Sequence, residues 1–455
     1  MAPAVSARQL FLRTYAALAV LCGLAAYIYF VESKRDDKSE KAKEKVFALD
    51  KSKVKELTLT PKEGEAVQLV KEGKGWKMAA PFQAPADSGE AEALVSSLES
   101  MEIDDVAAES APKLADFGLE SPRIAVGVLL QGATEPMRLL LGDKTPDGAG
   151  IYAKLPSQPR VFTVPSYVDS AFGKKPFDLR DRDLLHLKRD EAQTLEVHGP
   201  EGDFTLARKD KDWAFTKPLQ TQAGRWSVDG LLGLLEGLRM EKVVAEDAKD
   251  LKTYGLVKPV RTVVVGLGGG MSKTLEIGGS PQEKKHYARD ASGTLVALIP
   301  GAIVDDLAKG MKELRAKRLL DVASYEVEWF DVEQGGKRAY TRSSTRDGEG
   351  IDVYHWKRSV PDGKDLDTNK VQDVFFKVGG VEVADFVDTP GDAALYGLDT
   401  PVLKVNLRYA GGKPPIRFEL GQKDGATYAR REGDASVLKL DPAKAEELLK
   451  AFKEL

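Results

Sequence analysis

Cysteine and histidine are scarce in this chain. Cys22 is the one cysteine among 455 residues, so no disulfide can form within a single chain. Away from Cys22 there is no thiol, which excludes catalysis by a cysteine nucleophile in the rest of the chain. The four histidines, His186, His198, His286 and His355, show no metal-ligand spacing and indicate no metal site.

The chain also lacks a strong charge of either sign. Its 67 Lys and Arg residues oppose 71 Asp and Glu residues, which leaves a formal net charge of −4 with the charges interspersed. No basic surface for nucleic acid is indicated, so nucleic acid is not expected as a partner. At roughly 150 residues per domain, the length predicts about three domains.

The chain contains one module that is repeated three times in tandem. In each copy a tryptophan stands five residues before a proline, and an aromatic-Gly-Leu triplet follows about forty residues after the tryptophan. The spacing favours a repeated core element, with an indole at its centre and a glycine at positive φ in a turn. The alternative is that the indoles stack on a ligand such as a sugar or peptide. The repeat-core positions are Trp76, Pro81 and Gly118; Trp213, Pro218 and Gly255; and Trp356, Pro361 and Gly397.

A second repeated pattern is a tyrosine, an alanine and a basic residue on a predicted strand. Alternate residues of a strand share one face, so the tyrosine and the basic residue point the same way. This is the one repeated feature that looks more like surface than core, and it is the candidate interaction site. Its residues are Tyr152 and Lys154, Tyr287 and Arg289, and Tyr428 and Arg430.

The repeat weakens the motifs that suggest catalysis. Gly266–Gly270 resembles a phosphate-binding loop, but residues 130–134 and 409–413 in the other copies are turns that lead into a strand, whereas a dinucleotide loop opens a helix. There is no Gly-x-Ser-x-Gly pattern, and the pairs Asp104-Asp105 and Asp305-Asp306 fall at different places in their copies. The sequence predicts no catalytic, cofactor-binding or metal residue and no cofactor, which favours a protein that is not an enzyme.

Each copy runs in the order strands, amphipathic helix, strands, helix, which predicts an α+β fold with a mainly antiparallel sheet. A connector after the first two copies, 180–185 and 315–320, is expected to dock one module on the next. The predicted organisation is a cytoplasmic tail (1–13), a transmembrane anchor (14–31), a charged stalk (32–48) and repeat modules at 49–187, 188–322 and 323–455.

Residues 14–31 are apolar and uncharged, long enough to span a bilayer. A cleaved signal peptide is the rival, but its apolar part is shorter, about 7 to 15 residues. The flanking Lys and Arg residues point the modules into the cytoplasm, yet large domains translocate with little regard to nearby charge. We expect a single-pass inner-membrane protein whose modules face the periplasm, and the flanking charges leave a cytoplasmic adaptor open.

With these motifs, Val46–Leu455 resembles the bacterial DUF4340 family, a domain of unknown function. The resemblance implies a fold and a setting rather than site residues. Its members are often encoded beside ABC-type transporters similar to the gliding-motility export system, which implies an accessory or scaffold protein of a transport complex, with a transporter or envelope protein as partner and no nucleotide bound. The alternative is an envelope enzyme or a glycan-binding protein with a cleft between modules. Phe117 departs from the family's tyrosine, and the third copy lacks the final connector.

Overall fold

The computed structural model describes residues 44–111, 113–322, 324–411 and 415–455. They contain three antiparallel sheets of nine strands each. The chain divides into two compact units, Met1–Asp181 with the first sheet and Arg182–Leu455 with the second and third.

The first sheet has a strand order that recurs in the other two. Its elements are β1 (Val54–Pro61), β2 (Val67–Glu72), β3 (Gly75–Ala80), β4 (Ala84–Pro85), α1 (Ser88–Ser100), β5 (Asp105–Ala108), β6 (Ile124–Leu130), β7 (Met137–Lys144), β8 (Gly150–Lys154), β9 (Val161–Pro165) and α2 (Tyr167–Phe172). The order across the sheet is β4-β3-β2-β1-β6-β7-β8-β9-β5. The chain from β4 to β5 therefore crosses from one edge to the other, and it carries α1.

The core of the first sheet lies between one sheet face and α1. In β1, Val54, Leu57 and Leu59 are buried while alternate positions are more exposed, as a strand with one covered face requires. The N-cap carboxylate of Asp87 accepts hydrogen bonds from the first backbone amides of α1. The buried residues of α1 form an apolar stripe that packs on the sheet. Val46 and Phe47, which the sequence assigns to the stalk, are also buried in this core.

The second sheet repeats this order inside the second unit. Its elements are β10 (Ala192–His198), β11 (Phe204–Lys209), β12 (Asp212–Lys217), β13 (Thr221–Gln222), α3 (Arg225–Glu236), β14 (Lys242–Ala245), β15 (Arg261–Leu267), β16 (Ser272–Ile277), β17 (Lys285–Asp290), β18 (Val296–Pro300), α4 (Gly301–Leu307) and α5 (Gly310–Leu314). Its order is β13-β12-β11-β10-β15-β16-β17-β18-β14.

The third sheet has the same order with longer strands near one edge. Its elements are β19 (Val327–Glu333), β20 (Lys337–Arg346), β21 (Asp352–Val360), β22 (Lys364–Leu366), α6 (Thr368–Gly380), β23 (Val383–Val387), β24 (Leu403–Tyr409), β25 (Ile416–Lys423), β26 (Ala426–Arg431), β27 (Val437–Leu440) and α7 (Pro442–Glu454). Its order is β22-β21-β20-β19-β24-β25-β26-β27-β23.

The predicted antiparallel sheets are present, but the predicted class, α+β, is wrong: each module is mostly antiparallel sheet with few helices. The sequence overstates helix only at the end of the second module, where it predicts one helix over 301–314. The helix expected over 301–314 is two short helices, because Gly310 with a φ of 61° interrupts it. The helix that closes the first module, Tyr167–Phe172, agrees with the helix that the sequence predicts over 166–172.

Within the described residues, no helix is both long and apolar enough to cross a membrane. The predicted anchor, 14–31, lies outside the described residues, as do the tail 1–13 and most of the stalk.

Candidate functional site

The three repeated tryptophans lie inside the cores of their sheets. Trp76, Trp213 and Trp356 are all buried. The Trp76 indole Nε1 donates to Glu92 at 2.8 Å, and Trp356 packs against the Phe330 ring at 5.3 Å. Lys71 and then Trp76 hydrogen-bond to the Glu92 carboxylate and lower its pKa. The indoles therefore hold positions that leave no face open for a stacked ligand.

The repeated prolines and glycines shape the backbone around these cores. Pro81, Pro218 and Pro361 are exposed, and each follows a cis peptide bond. The triplet glycines Gly118, Gly255 and Gly397 have φ of 65°, 69° and 65°, in the left-handed region that glycine adopts without strain.

The two repeated patterns form one structural unit, which the sequence does not reveal. In each module the tyrosine of the Tyr-Ala-basic strand packs edge-on against the aromatic residue of the triplet, with ring centroids about 5 Å apart. The pairs are Phe117 with Tyr152 at 5.0 Å, Tyr254 with Tyr287 at 5.1 Å, and Tyr396 with Tyr428 at 5.1 Å. These tyrosines hold the triplet turn against the sheet and are half-buried.

A further glycine lets that turn approach the sheet. An added Cβ would lie 2.1 Å from the Phe117 carbonyl oxygen at Gly142, 2.1 Å from that of Tyr254 at Gly278, and 2.4 Å from that of Tyr396 at Gly421. Real Cβ atoms do not come so close to backbone, so these positions admit only glycine. The signal for this contact is in the sequence, as a glycine that recurs about 23 to 24 residues after the triplet glycine in all three copies.

The basic residues of the candidate interaction strands already have partners. Lys154 donates to the Gln158 carbonyl oxygen. Arg289 Nε donates to Glu276 at 2.6 Å, and Arg430 Nε donates to Glu419 at 2.6 Å. Arg430 is the more exposed of the two arginines, so it is the more accessible to a partner protein.

Arg430 belongs to a polar surface on the third sheet, on the side away from α6. A cavity of about 460 Å³ opens here. The polar strand residues that line it on this side, with two further residues of β19 and one of β24, are named the polar face: Trp329, Asp331 and Glu333; Lys404, Asn406 and Arg408; Arg417 and Glu419; and Arg430.

Hydrogen bonds and ion pairs join the strands of the polar face to one another and to Glu432, which follows β26. The Asn406 amide donates to the buried Asp331 carboxylate. Lys404 lies 3.9 Å from Glu333, and Arg417 lies 3.0 Å from Glu432.

At the end of the polar face the Arg408 guanidinium lies 4.1 Å from the centre of the Trp329 ring. This guanidinium plane, stacked on the indole beside amide and carboxylate groups, can take a ligand with several hydroxyl groups, such as a sugar.

The polar face is specific to the third module. Strand pairing gives the matching positions in the other sheets: Trp329 corresponds to Thr194 and Glu56, and Asn406 corresponds to Val264 and Gly127. Sequence reasoning missed this surface because it searched for features that the copies share.

The glycine loop and the histidines, which the sequence analysis excludes as sites, lie outside the polar face. Gly266–Gly270 forms the end of β15 and the turn into β16, so the loop is a hairpin tip as predicted. Among histidines, His198 lies 3.0 Å from Asp203 and His355 lies 2.9 Å from Thr345. Within the described residues no three His, Cys, Asp or Glu side chains form a group that could hold a metal ion.

The chain belongs to the family described as Domain of unknown function (DUF4340), whose model matches residues 26–113, 76–226 and 213–401. No curated protein matches it.

Among solved structures, the chain is similar to a DNA polymerase sliding clamp from Pseudomonas aeruginosa crystallised with ligand, with 7% identity over 86% of this chain and 92% of the clamp and a TM-score of 0.17. The DNA polymerase III subunit beta from Pseudomonas aeruginosa gives 9% identity over 87% and 93%, with a TM-score of 0.18. At such TM-scores the similarity supports no conclusion about fold or function.

Proposed function

We propose that this chain is a non-enzymatic scaffold that binds a partner protein of an ABC-type transport complex. The observation that carries the proposal is the joint between the second and third sheets, which is built from buried polar contacts. A fixed pair of sheets presents one constant surface, whereas modules on loose linkers present many.

The connector 315–320 forms the first half of this joint. Its backbone bonds backwards to the second sheet, where Ala316 N donates to Gln222 O at 3.1 Å. It also bonds forwards to the third module, where Leu319 N donates to Val381 O at 2.8 Å. The buried Arg315 guanidinium donates to Asp388 at 2.6 Å, and Ser436 donates to the same carboxylate at 2.9 Å.

Arg431 forms the second half. Its side chain is 1% exposed and donates to Asp434, whose side chain is fully buried, at 2.6 Å. Another guanidinium nitrogen donates to Gln222 of β13 at 3.1 Å and to the carbonyl oxygens of Arg318 and Leu319. One buried cation thus ties both sheets and the connector together, and such a network holds its geometry because breaking it leaves a charge unpaired.

The test is purification of the native tagged chain in mild detergent, followed by identification of the proteins that accompany it. Transporter subunits in stoichiometric amount would support the proposal, and their absence would contradict it. Charge reversal at Arg289 and Arg430 should weaken capture. The control for the second position is the exchange of Arg430→Glu with Glu419→Arg, which restores the internal ion pair and still removes the cation from its place.

We also propose that the modules lie outside the cytoplasm, where envelope partners are available. Fusions at Leu455 test this: alkaline phosphatase should be active there. Fluorescence of a reporter that folds only in the cytoplasm would contradict it and would agree with the flanking lysines.

The polar face favours a second candidate function, the binding of a glycan. Chitotetraose is a suitable probe in titration calorimetry. Binding that is lost on Trp329→Ala and kept on Trp226→Ala, an exposed tryptophan of α3, would support this function. No heat of binding in the native chain would remove it.

A further inference from the structure

The hairpin of β20 and β21 is longer than its counterparts. In the first two sheets this hairpin closes after short strands through a two-residue turn, Gly73-Lys74 or Asp210-Lys211. In the third, β20 runs on to Arg346 and β21 begins only at Asp352. The extra length carries the hairpin beyond the strand that pairs with its outer side.

The outer edge of β21 is therefore open at its start. β22 pairs with Trp356, Lys357 and Arg358 only, and no other strand of the described chain pairs with the stretch from Asp352 to His355. An edge of this kind is a template for one more strand.

The backbone groups that face outward follow from the register. Asp347 N donates to Ile351 O at 3.0 Å at the hairpin end, and Asp352 pairs opposite Arg346. Bonded and non-bonded pairs alternate along an antiparallel ladder, so Val353 bonds to β20 while Asp352 and Tyr354 point their backbone groups outward. In agreement, the Tyr354 carbonyl oxygen accepts from Thr368 Oγ1 at 3.1 Å, on the side away from β20.

The side chains around this edge are mostly apolar and basic, and its one carboxylate, Asp352, lies opposite Arg346. Val353, Tyr354 and Ile351 are exposed hydrophobic residues, and Tyr325 nearby is 72% exposed. The Arg342 guanidinium lies 4.5 Å from the centre of the Tyr354 ring and donates to the Tyr325 carbonyl oxygen.

The charge on β20 has one sign. The strand carries four basic residues, Lys337, Arg338, Arg342 and Arg346, and no acidic one. Across the hairpin Arg346 lies 3.5 Å from Asp352.

We infer that the edge from Asp352 to His355, with Arg342 beside it, binds an extended segment of a partner protein in which acidic and apolar residues alternate. An added strand places alternate side chains on opposite faces. Acidic side chains would meet Arg342 on the Tyr354 face, and apolar ones would cover Val353 on the other. This inference rests on the proposed scaffold function and names the class of segment bound.

A second copy of this chain fits the edge less well. Pairing two β21 edges would add a second basic strand β20 to the same small sheet, beyond both β21 strands, and it would bring further positive charge to this hairpin. An acidic strand carries the opposite charge, so the basic residues of β20 would attract it.

The test uses the full chain and a labelled, end-capped octapeptide of alternating glutamate and valine, followed by fluorescence polarisation. Asp352→Pro removes an outward N–H at the first residue of a strand, a position where proline is tolerated. Asp352→Ala removes the same carboxylate and keeps the N–H, so it is the matched control. The proline variant should bind at least about tenfold more weakly than the alanine variant.

Arg342→Glu should also weaken binding by about tenfold, and it should favour a lysine-valine octapeptide instead. Hydrogen exchange of β20 confirms that each variant keeps its hairpin. Equal affinity of the Asp352→Pro and Asp352→Ala variants, or a dimer in light scattering that Asp352→Pro abolishes, would overturn the inference. If the octapeptide fails to bind while transporter subunits still co-purify, the inference fails and the scaffold proposal stands.

Discussion

The second and third sheets have the same strand order and differ at their surfaces. Both bury a tryptophan at the same place and both seat a triplet turn on a glycine. The third alone has the long hairpin and the polar face, and it contributes Arg431 to the joint. Where the copies agree, the residues maintain the fold. Where they differ, the residues are available for function, so differences between copies locate sites better than the shared motifs do.

The largest expected effect tests the shared part. Trp213→Ala and Trp356→Ala should each lower the free energy of unfolding of their own sheet by about 3–5 kcal/mol, because each leaves a large core cavity. Trp226→Ala is the control: its side chain is 78% exposed and the change should stay within about 0.5 kcal/mol. Denaturant dependence of hydrogen exchange, resolved by peptide, measures each sheet separately. A small loss at either buried tryptophan would break the equivalence of the two cores.

The next effect tests a residue that only the third sheet has. Arg431→Ala should cost about 3 kcal/mol, because it leaves the buried Asp434 carboxylate without its cation. The matching residue of the second sheet is Asp290, which is not buried, and Asp290→Ala should cost less than about 0.5 kcal/mol. Exchange protection in the connector 315–320 should fall with Arg431→Ala. Unchanged protection there would show that the two sheets do not depend on this joint.

A smaller effect separates glycines that the sequence treats alike. Gly278→Ala and Gly421→Ala should each cost about 2 kcal/mol, since the new methyl group would overlap a backbone carbonyl oxygen and force it to shift. Gly268→Ala is the control, because nothing lies within 4 Å of its added Cβ. Thermal unfolding of the three variants gives the comparison, and equal melting temperatures would contradict the close approach.

The sequence predicts the shared features well, because a pattern that occurs in all three copies is distinguished from one that occurs by chance. Three copies of the Trp-x(4)-Pro element predict three tandem modules, and hairpin signals predict antiparallel pairing. The fold class was wrong because the order of the elements does not show how much of a module each kind occupies: nine strands form each sheet, and the helices are few. The contact between triplet and tyrosine joins strands far apart in sequence, so no local pattern could show it. The polar face and the long hairpin edge lie in one copy only, where repetition gives no signal.

The smallest expected effect concerns an ion pair that both sheets share at matching positions. Arg289 with Glu276 and Arg430 with Glu419 join the same two strands, but the Arg289 side chain is 17% exposed and that of Arg430 is 48% exposed. Water screens an exposed pair, so a double-mutant cycle to alanine should give a coupling energy of about 1 kcal/mol for Arg289 and about 0.3 kcal/mol for Arg430. Raising the salt concentration should reduce the second coupling first. An arginine with a small coupling energy loses little stabilisation when it leaves its own carboxylate for one on a partner. Arg430 is therefore suited to partner binding. A coupling at Arg430 as large as that at Arg289 would mean that this arginine serves its own sheet, and it would then be the weaker choice for contact with a partner.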